Sequence, residues 1–296
     1  MPSSEPAISV GIDGSPASDA ALDWAIDEAI MRRRPVRLVH VLDWPTQTGS
    51  TLSQAAERVV SDLRAEADQI LHERHEFARS MASDVPVTTH MAGGNAPQRL
   101  IEESLQAELL VLGQRGLGGF TGLLLGSVST QVSAHAQCPV LVVPPGMLAT
   151  AGMTDKVVVG DDGSAGSHLA VEVAFEEAAR RAVPLIVVLA WGNGLPTTTE
   201  RPPRDDMAEL AESLSPWRDK YPEVMVEERL MHAAPAPTLL NLVNSRSLLV
   251  VGSHGRGGFR GMLLGSVSQA MLHHAPCPVL IARQHAAAHS DDSDRT

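Results

Sequence analysis

Lysine is nearly missing from this chain. Only Lys156 and Lys220 occur in 296 residues, so a phosphoryl-transfer site built on lysine has little to draw on. Aromatic residues make up 3% of the sequence, which removes the stacking platforms that single-stranded nucleic acids need. Positive charge is also outweighed. A formal charge of −12 argues against nucleic acid and against an anionic membrane surface, because both partners are held by neutralising phosphates. No apolar run approaches the ~20 residues of a membrane-spanning helix. The opening Met-Pro-Ser-Ser-Glu-Pro lacks a basic start followed by a long apolar region, so no secretory signal is read and the cytoplasm is the expected location. Cysteine occurs twice, at Cys138 and Cys277, each before a proline at the start of an apolar run. Being repeat-equivalent, the two are read as small buried hydrophobes, not as a disulfide or a metal pair.

What the chain does have is one glycine-rich stretch written twice, 139 residues apart. The first copy places Gly113, Gly116 and Gly126 before Ser127-Val128-Ser129. The second places Gly252, Gly255 and Gly265 before Ser266-Val267-Ser268. In each, the first glycine ends a buried-strand run (Leu109 to Leu112; Leu248 to Val251). A residue without Cβ there lets the chain turn and a ligand approach the backbone. The closing Gly-Ser-x-Ser opens a helix, whose free N–H groups and dipole suit a phosphate. No lysine follows the glycine, which sets the stretch apart from the Walker P-loop. Gly116 and Gly118 lack a third glycine three residues on, which sets it apart from the dinucleotide fingerprint. A flexible surface turn is the competing reading of one such loop, and two copies at corresponding places favour a site.

In chain order, Ala7 to Asp13 reads as a strand ending in Asp13-Gly14-Ser15-Pro16, with Ser15 as helix cap and Pro16 at the first helical position. Leu22, Ala25, Ile26 and Ala29 give the helix one apolar stripe, and Arg32 to Arg34 sit at its end, where positive charge suits the dipole. Strands are expected at Val36–Leu42, Val85–Met91, 109–112 and Pro139–Val143. Helices are expected from Leu52 to Met81, from near Pro97, and from Ser127 to about His135. The pattern restarts at Lys156, with Asp162 standing 149 residues after Asp13. It continues through a strand from Leu185 to Ala190 and a shortened helix from Met207 to Lys220. The repeat offset falls from 149 to 139, so the second copy is about ten residues shorter in the middle. The boundaries predicted are 1–146 and 155–285 for two domains, 147–154 for a linker and 286–296 for a polar, disordered tail. Alternating strands and helices imply an open parallel sheet with helices on both faces. Its ligands would lie at the carboxyl ends of the strands.

Gly-x2-Gly-x9-Gly-Ser after an apolar strand resembles the ATP-binding signature of the universal stress protein family, and both copies match it in full. The resemblance covers nearly the whole chain as a tandem pair. It implies two α/β domains, each a five-stranded parallel sheet of order 3-2-1-4-5. It also implies one ATP per domain, with or without magnesium, and a regulatory role in bacterial stress or dormancy rather than catalysis. Asp13 and Asp162 are open to two readings by chemistry, a ribose contact or a turn-forming Asx. The resemblance favours the nucleotide contact. Val41 and Ala190, ending the second strand of each copy, correspond to the family's adenine contacts. Gly113, Gly116, Gly126, Ser127, Val128 and Ser129 correspond to its phosphate and ribose contacts, as do Gly252, Gly255, Gly265, Ser266, Val267 and Ser268. The family also implies that the two domains pair about a pseudo-two-fold axis, Pro139–Val143 beside Pro278–Ala282. A homodimer and the regulated protein partner are left open.

The loops differ in charge: the first carries Arg115, the second His254, Arg256 and Arg260. His135 and His274, each just before a cysteine, are read as structural, since two ligands per copy are too few for a closed zinc site. No G-x-S-x-G elbow makes Ser127 a nucleophile. Two rivals remain at this point: a slow ATPase or phosphotransferase, for which no basic residue or second carboxylate cluster can be singled out, and a scaffold whose loops hold no nucleotide.

Overall fold

A computed structural model describes residues 5–42, 54–116, 125–147, 154–192, 204–255 and 264–284. The chain divides into two compact units, which over the described residues run from 5 to 147 and from 154 to 284. The expected linker at 147–154 falls largely, and the tail at 286–296 wholly, outside the described residues.

The first unit alternates strictly: β1 (Ala7–Gly11), α1 (Pro16–Arg32), β2 (Val36–Leu42), α2 (Gln54–Met81), β3 (Val87–Gly93), α3 (Ala96–Glu103), β4 (Ala107–Gly113), α4 (Ser127–His135) and β5 (Val140–Val143). All its strands pair in parallel, in the order β3-β2-β1-β4-β5. The second unit repeats the plan with β6 (Lys156–Gly160), α5 (Ala165–Arg181), β7 (Leu185–Trp191), α6 (Arg204–Lys220), β8 (Val226–His232), α7 (Pro235–Leu242), β9 (Ser247–Gly252), α8 (Ser266–His274) and β10 (Val279–Ala282). Its order, β8-β7-β6-β9-β10, is the same 3-2-1-4-5 arrangement.

The core of each sheet is aliphatic. Leu109, Leu110 and Val111 on β4, and Leu248, Leu249 and Val250 on β9, are fully buried between helical layers. Each such side chain contributes about 1.5–3 kcal/mol of transfer free energy. Helix caps follow the residue pattern. The Ser15 hydroxyl accepts from the Ser18 amide with Pro16 in the first turn, and Ser164 accepts from Ser167 in the same way. Both helices end on a left-handed residue that is not glycine, Arg33 at φ 55° and Ala182 at φ 53°. The arginines at that end do more than complement the dipole. Arg32 donates to Glu28 (2.8 Å) and Glu108 (3.3 Å), and Arg34 pairs with Glu108. Glu28 is thereby accommodated at 1% exposure, and Glu177 of the second unit is held likewise by Arg180 and Arg181.

Several elements depart from the expected spans, among them β4, which runs Ala107–Gly113 against 109–112, and β7, which continues to Trp191. β1 ends at Gly11, because the Ile12 amide still bonds to Val39 but Asp13 then turns the chain away. β3 begins at Val87, two residues late; it is an edge strand with Thr88 to His90 exposed, so no apolar alternation marks its ends. α6 begins at Arg204 rather than Met207. Cys138 and Cys277 are both buried and not joined in a disulfide, and burial pushes the Cys277 thiol up to about 12. His135 is exposed, its ring bonded to the Gln131 carbonyl (2.8 Å), and His274 is exposed too.

α2 is 28 residues long and α6 only 17. The surplus is at the start of α2, where residues 61–66 are all exposed, Leu63 among them. Further along, Leu71 of α2 and its counterpart Leu210 of α6 are both buried. Among the described residues, no helix is long and apolar enough to cross a membrane.

Candidate nucleotide crevices

Each unit has one crevice at the carboxyl ends of its central strands, and all sixteen residues singled out in the sequence line one or the other. In the first unit Asp13, Val41, Gly113, Gly116, Gly126, Ser127, Val128 and Ser129 surround a cavity of about 190 Å³. In the second, Asp162, Ala190, Gly252, Gly255, Gly265, Ser266, Val267 and Ser268 surround one of about 310 Å³.

The acid at the strand end serves two ends at once. Asp13 Oδ1 accepts the Ser15 amide at 3.0 Å, an Asx turn made possible by Gly14 at φ 82°. Its other oxygen, Oδ2, lies 2.3 Å from where a Cβ on Gly116 would stand. Asp162 repeats both relations, with Ser164 (3.0 Å) and Gly255 (2.3 Å). The turn and the crevice-facing carboxylate are therefore not alternatives. One oxygen builds the turn while the other is aimed at the glycine loop.

The glycines have different reasons to be glycine. A Cβ on Gly113 would lie 2.6 Å from the backbone of Ala17, and one on Gly252 would lie 2.7 Å from the backbone of Gly166. These two let a helix start press against a strand end. Gly116 and Gly255 leave room beside the aspartates. Gly126 and Gly265 sit at φ −73° and −63°, which any residue adopts, so backbone strain plays no part there.

Beyond those glycines, α4 and α8 begin with no side-chain capping bond. Their first-turn amides and the positive helix end face the crevice, a ready anion site. The two serines of the motif divide the work. Ser127 and Ser266 are exposed at the first helical position, whereas Ser129 and Ser268 are buried and donate their hydroxyls to the carbonyls of Gly113 (2.7 Å) and Gly252 (2.5 Å). The second serine thus ties helix start to strand end, and its contribution to a ligand would come from its amide.

The opposite wall is the edge of the second strand. The Val39 carbonyl accepts from Ile12, so two residues on Val41 turns its backbone groups toward the same side, where β1 has ended. The Val188 carbonyl accepts from Asp161, placing Ala190 equivalently. Leu100 of α3 and Leu239 of α7 close the apolar side.

Residues that sequence reasoning missed also line the crevices. Asp161 is the main one: 3% exposed, it accepts from the Gly163 amide (2.8 Å) and the hydroxyls of Ser167 (2.7 Å) and Ser213 (3.5 Å). The first unit has Ile12 there. The doubled Asp161-Asp162 against Ile12-Asp13 was the available signal. Arg115 and His254 line the crevices at equivalent places, while Arg256 and Arg260 lie outside the described residues.

Comparisons with known proteins agree with the repeat. The profile of the universal stress protein family matches residues 7–144 and again 153–283. Universal stress protein Rv1996 of Mycobacterium tuberculosis is 39% identical over 300 residues, covering 93% of this chain and 94% of its own length. A second relative from the same species, universal stress protein Rv2005c, is 38% identical over 297 residues, covering 96% and 99%. Among solved structures, a universal stress protein from Archaeoglobus fulgidus superposes with a TM-score of 0.72 at 20% identity, over 96% of this chain and all of that one, a likeness of fold.

Proposed function

The chain belongs to the universal stress protein family, and on that premise we propose that each unit binds one adenine nucleotide, ATP, as the signal for a regulatory role in the stress response. One observation carries the reading. Two independent copies gather the same three parts around one crevice: an uncapped helix start, a carboxylate with one oxygen turned inward, and a strand edge with backbone groups free of β1. The helix start suits the phosphates. The carboxylate suits ribose hydroxyls, and the strand edge suits the polar rim of a purine. Among the described residues no lysine lines either crevice, and the reading taken is of a bound ligand and not of a substrate. The nucleotide is therefore treated as a ligand whose occupancy other proteins read.

Calorimetry with ATP on the full chain tests this, expecting two sites. Gly126→Val removes one of them without unfolding the protein. The backbone at φ −73° accepts valine, and the nearest atom to the new Cβ is the Gln114 carbonyl oxygen at 3.3 Å. Two sites surviving in that variant, or none in the parent, would overturn the assignment.

A further inference from the structure

Two described lining positions differ in charge between the crevices. Where the first has Ile12 and Arg115, the second has Asp161 and His254. Arginine stays cationic throughout, whereas histidine is the side chain whose charge ordinarily changes between about pH 5 and 8. Both stand beside the helix start. A Cβ on Gly126 would lie 3.6 Å from the Arg115 Cα, and one on Gly265 would lie 3.4 Å from the His254 Cα.

Among the described residues, the His254 ring has the Ser253 hydroxyl 3.3 Å from Nδ1 and shares the crevice lining with two acids. The turn after β6 places Asp161 and Asp162 in the crevice lining, the Asp161 carboxylate engaged by the Gly163 amide and the Ser167 and Ser213 hydroxyls. α5 meets the His254 backbone through Gly166 and carries His168, exposed on its first turn and outside the crevice lining. α7 contributes Pro235 and Leu239, and α8 contributes Ser266 to Ser268, none of them charged. Arg256 and Arg260 lie outside the described residues and are cationic across this pH range.

From this we infer that His254 makes the second crevice's hold on a nucleotide's phosphates depend on a proton, while Arg115 makes the first crevice's hold independent of pH over the same range. The inference rests on the nucleotide reading above. Uncharged, His254 adds no positive charge to the wall that Asp162 shares. Protonated, it adds a cation beside the helix start, and binding of phosphate and of proton then favour each other by linkage. The two units of one chain would respond differently to acidification, one as a constant binder and the other as a sensor.

The experiment isolates each crevice in the full chain, with Gly126→Val leaving the second and Gly265→Val leaving the first. ATP affinity is measured by calorimetry at about pH 5.5 and about pH 8, either side of an ordinary imidazole. The nucleotide's own terminal phosphate titrates in this range, so the quantity read is the second crevice's change relative to the first's. The second is expected to weaken by about three- to tenfold more, the size of one partly exposed charge-assisted contact. His254→Arg should abolish the difference, Arg115→His should create the same response in the first crevice, and His168→Asn should leave the difference intact. Equal pH responses of the two crevices, or a difference that survives His254→Arg, would overturn this inference alone. Absence of binding in both at either pH would overturn the nucleotide reading and this inference with it.

Discussion

Gly113 and Gly116 are three residues apart in one motif, yet the same added methyl should act on different properties at each. At Gly113 a Cβ would stand 2.6 Å from both the carbonyl carbon and the oxygen of Ala17 and 2.9 Å from its Cβ. Backbone cannot rotate aside. The start of α1 must retreat from β4 by nearly 1 Å to reach ordinary contact, straining the buried packing of α1 on the sheet. Overpacking of this kind costs about 1–3 kcal/mol, or roughly 3–10 °C of melting temperature for a unit of this size. At Gly116 the single close atom is Asp13 Oδ2 at 2.3 Å, the end of a side chain that can swing away. Gly116→Ala should therefore change the melting temperature by less than about 2 °C but displace the carboxylate from the crevice. A lost charged hydrogen bond of about 1.5–3 kcal/mol corresponds to roughly a tenfold or greater loss of ATP affinity at the first site. Differential scanning calorimetry and ligand titration on both variants separate the two. If Gly113→Ala melts like the parent, or Gly116→Ala is destabilised as strongly, the assignment of one glycine to packing and the other to the carboxylate is refuted.

Two further outcomes follow from buried and half-buried groups. Burial, then the neighbouring Asp27 and Asp19, raise the Asp23 pKa, so this carboxyl is more easily held neutral in the folded chain than in the unfolded one. It therefore opposes folding once pH exceeds its folded pKa and is harmless below its unfolded value; Asp23→Asn should raise the melting temperature at neutral pH by on the order of 1 °C, solvent screening keeping the gain small, and the gain should vanish in acid. The thiol of Cys277, pushed up to about 12 by burial, should resist alkylation at neutral pH in the native chain and react promptly in denaturant; labelling at equal rates with and without denaturant would contradict its burial.

Most of the architecture was legible because buried parallel strands announce themselves as apolar runs. Leu109 to Leu112 and Leu248 to Val251 could be read directly, and the repeat fixed their equivalence. The edge strands were poorly legible for the converse reason. β8 carries Glu227, Glu228 and Arg229 on a strand with no fully buried residue, so it leaves little pattern, and α7 with its two early prolines was not singled out. The crevice was legible as a set of residues but not as a set of roles. That Ser129 and Ser268 give their hydroxyls to strand-end carbonyls, or that Gly113 exists for Ala17, depends on contacts across about sixteen or nearly a hundred residues of chain, which spacing does not encode. Asp161 was overlooked because an acid inside an apolar strand end reads as an extension of the turn, whereas its partners Ser167 and Ser213 come from two separate helices.

The unequal lengths of α2 and α6 amount to a deletion experiment that the chain carries within itself. Over the described residues the shorter copy has eleven fewer residues of helix, close to three whole turns at 3.6 residues per turn. A loss in whole turns leaves the remaining stripe in phase, and Leu210 is buried as Leu71 is. The turns it lacks correspond to the start of α2, where residues 57–59 and 61–64 are exposed. Shortening that segment by full turns should therefore leave the register of the sheet beneath unchanged.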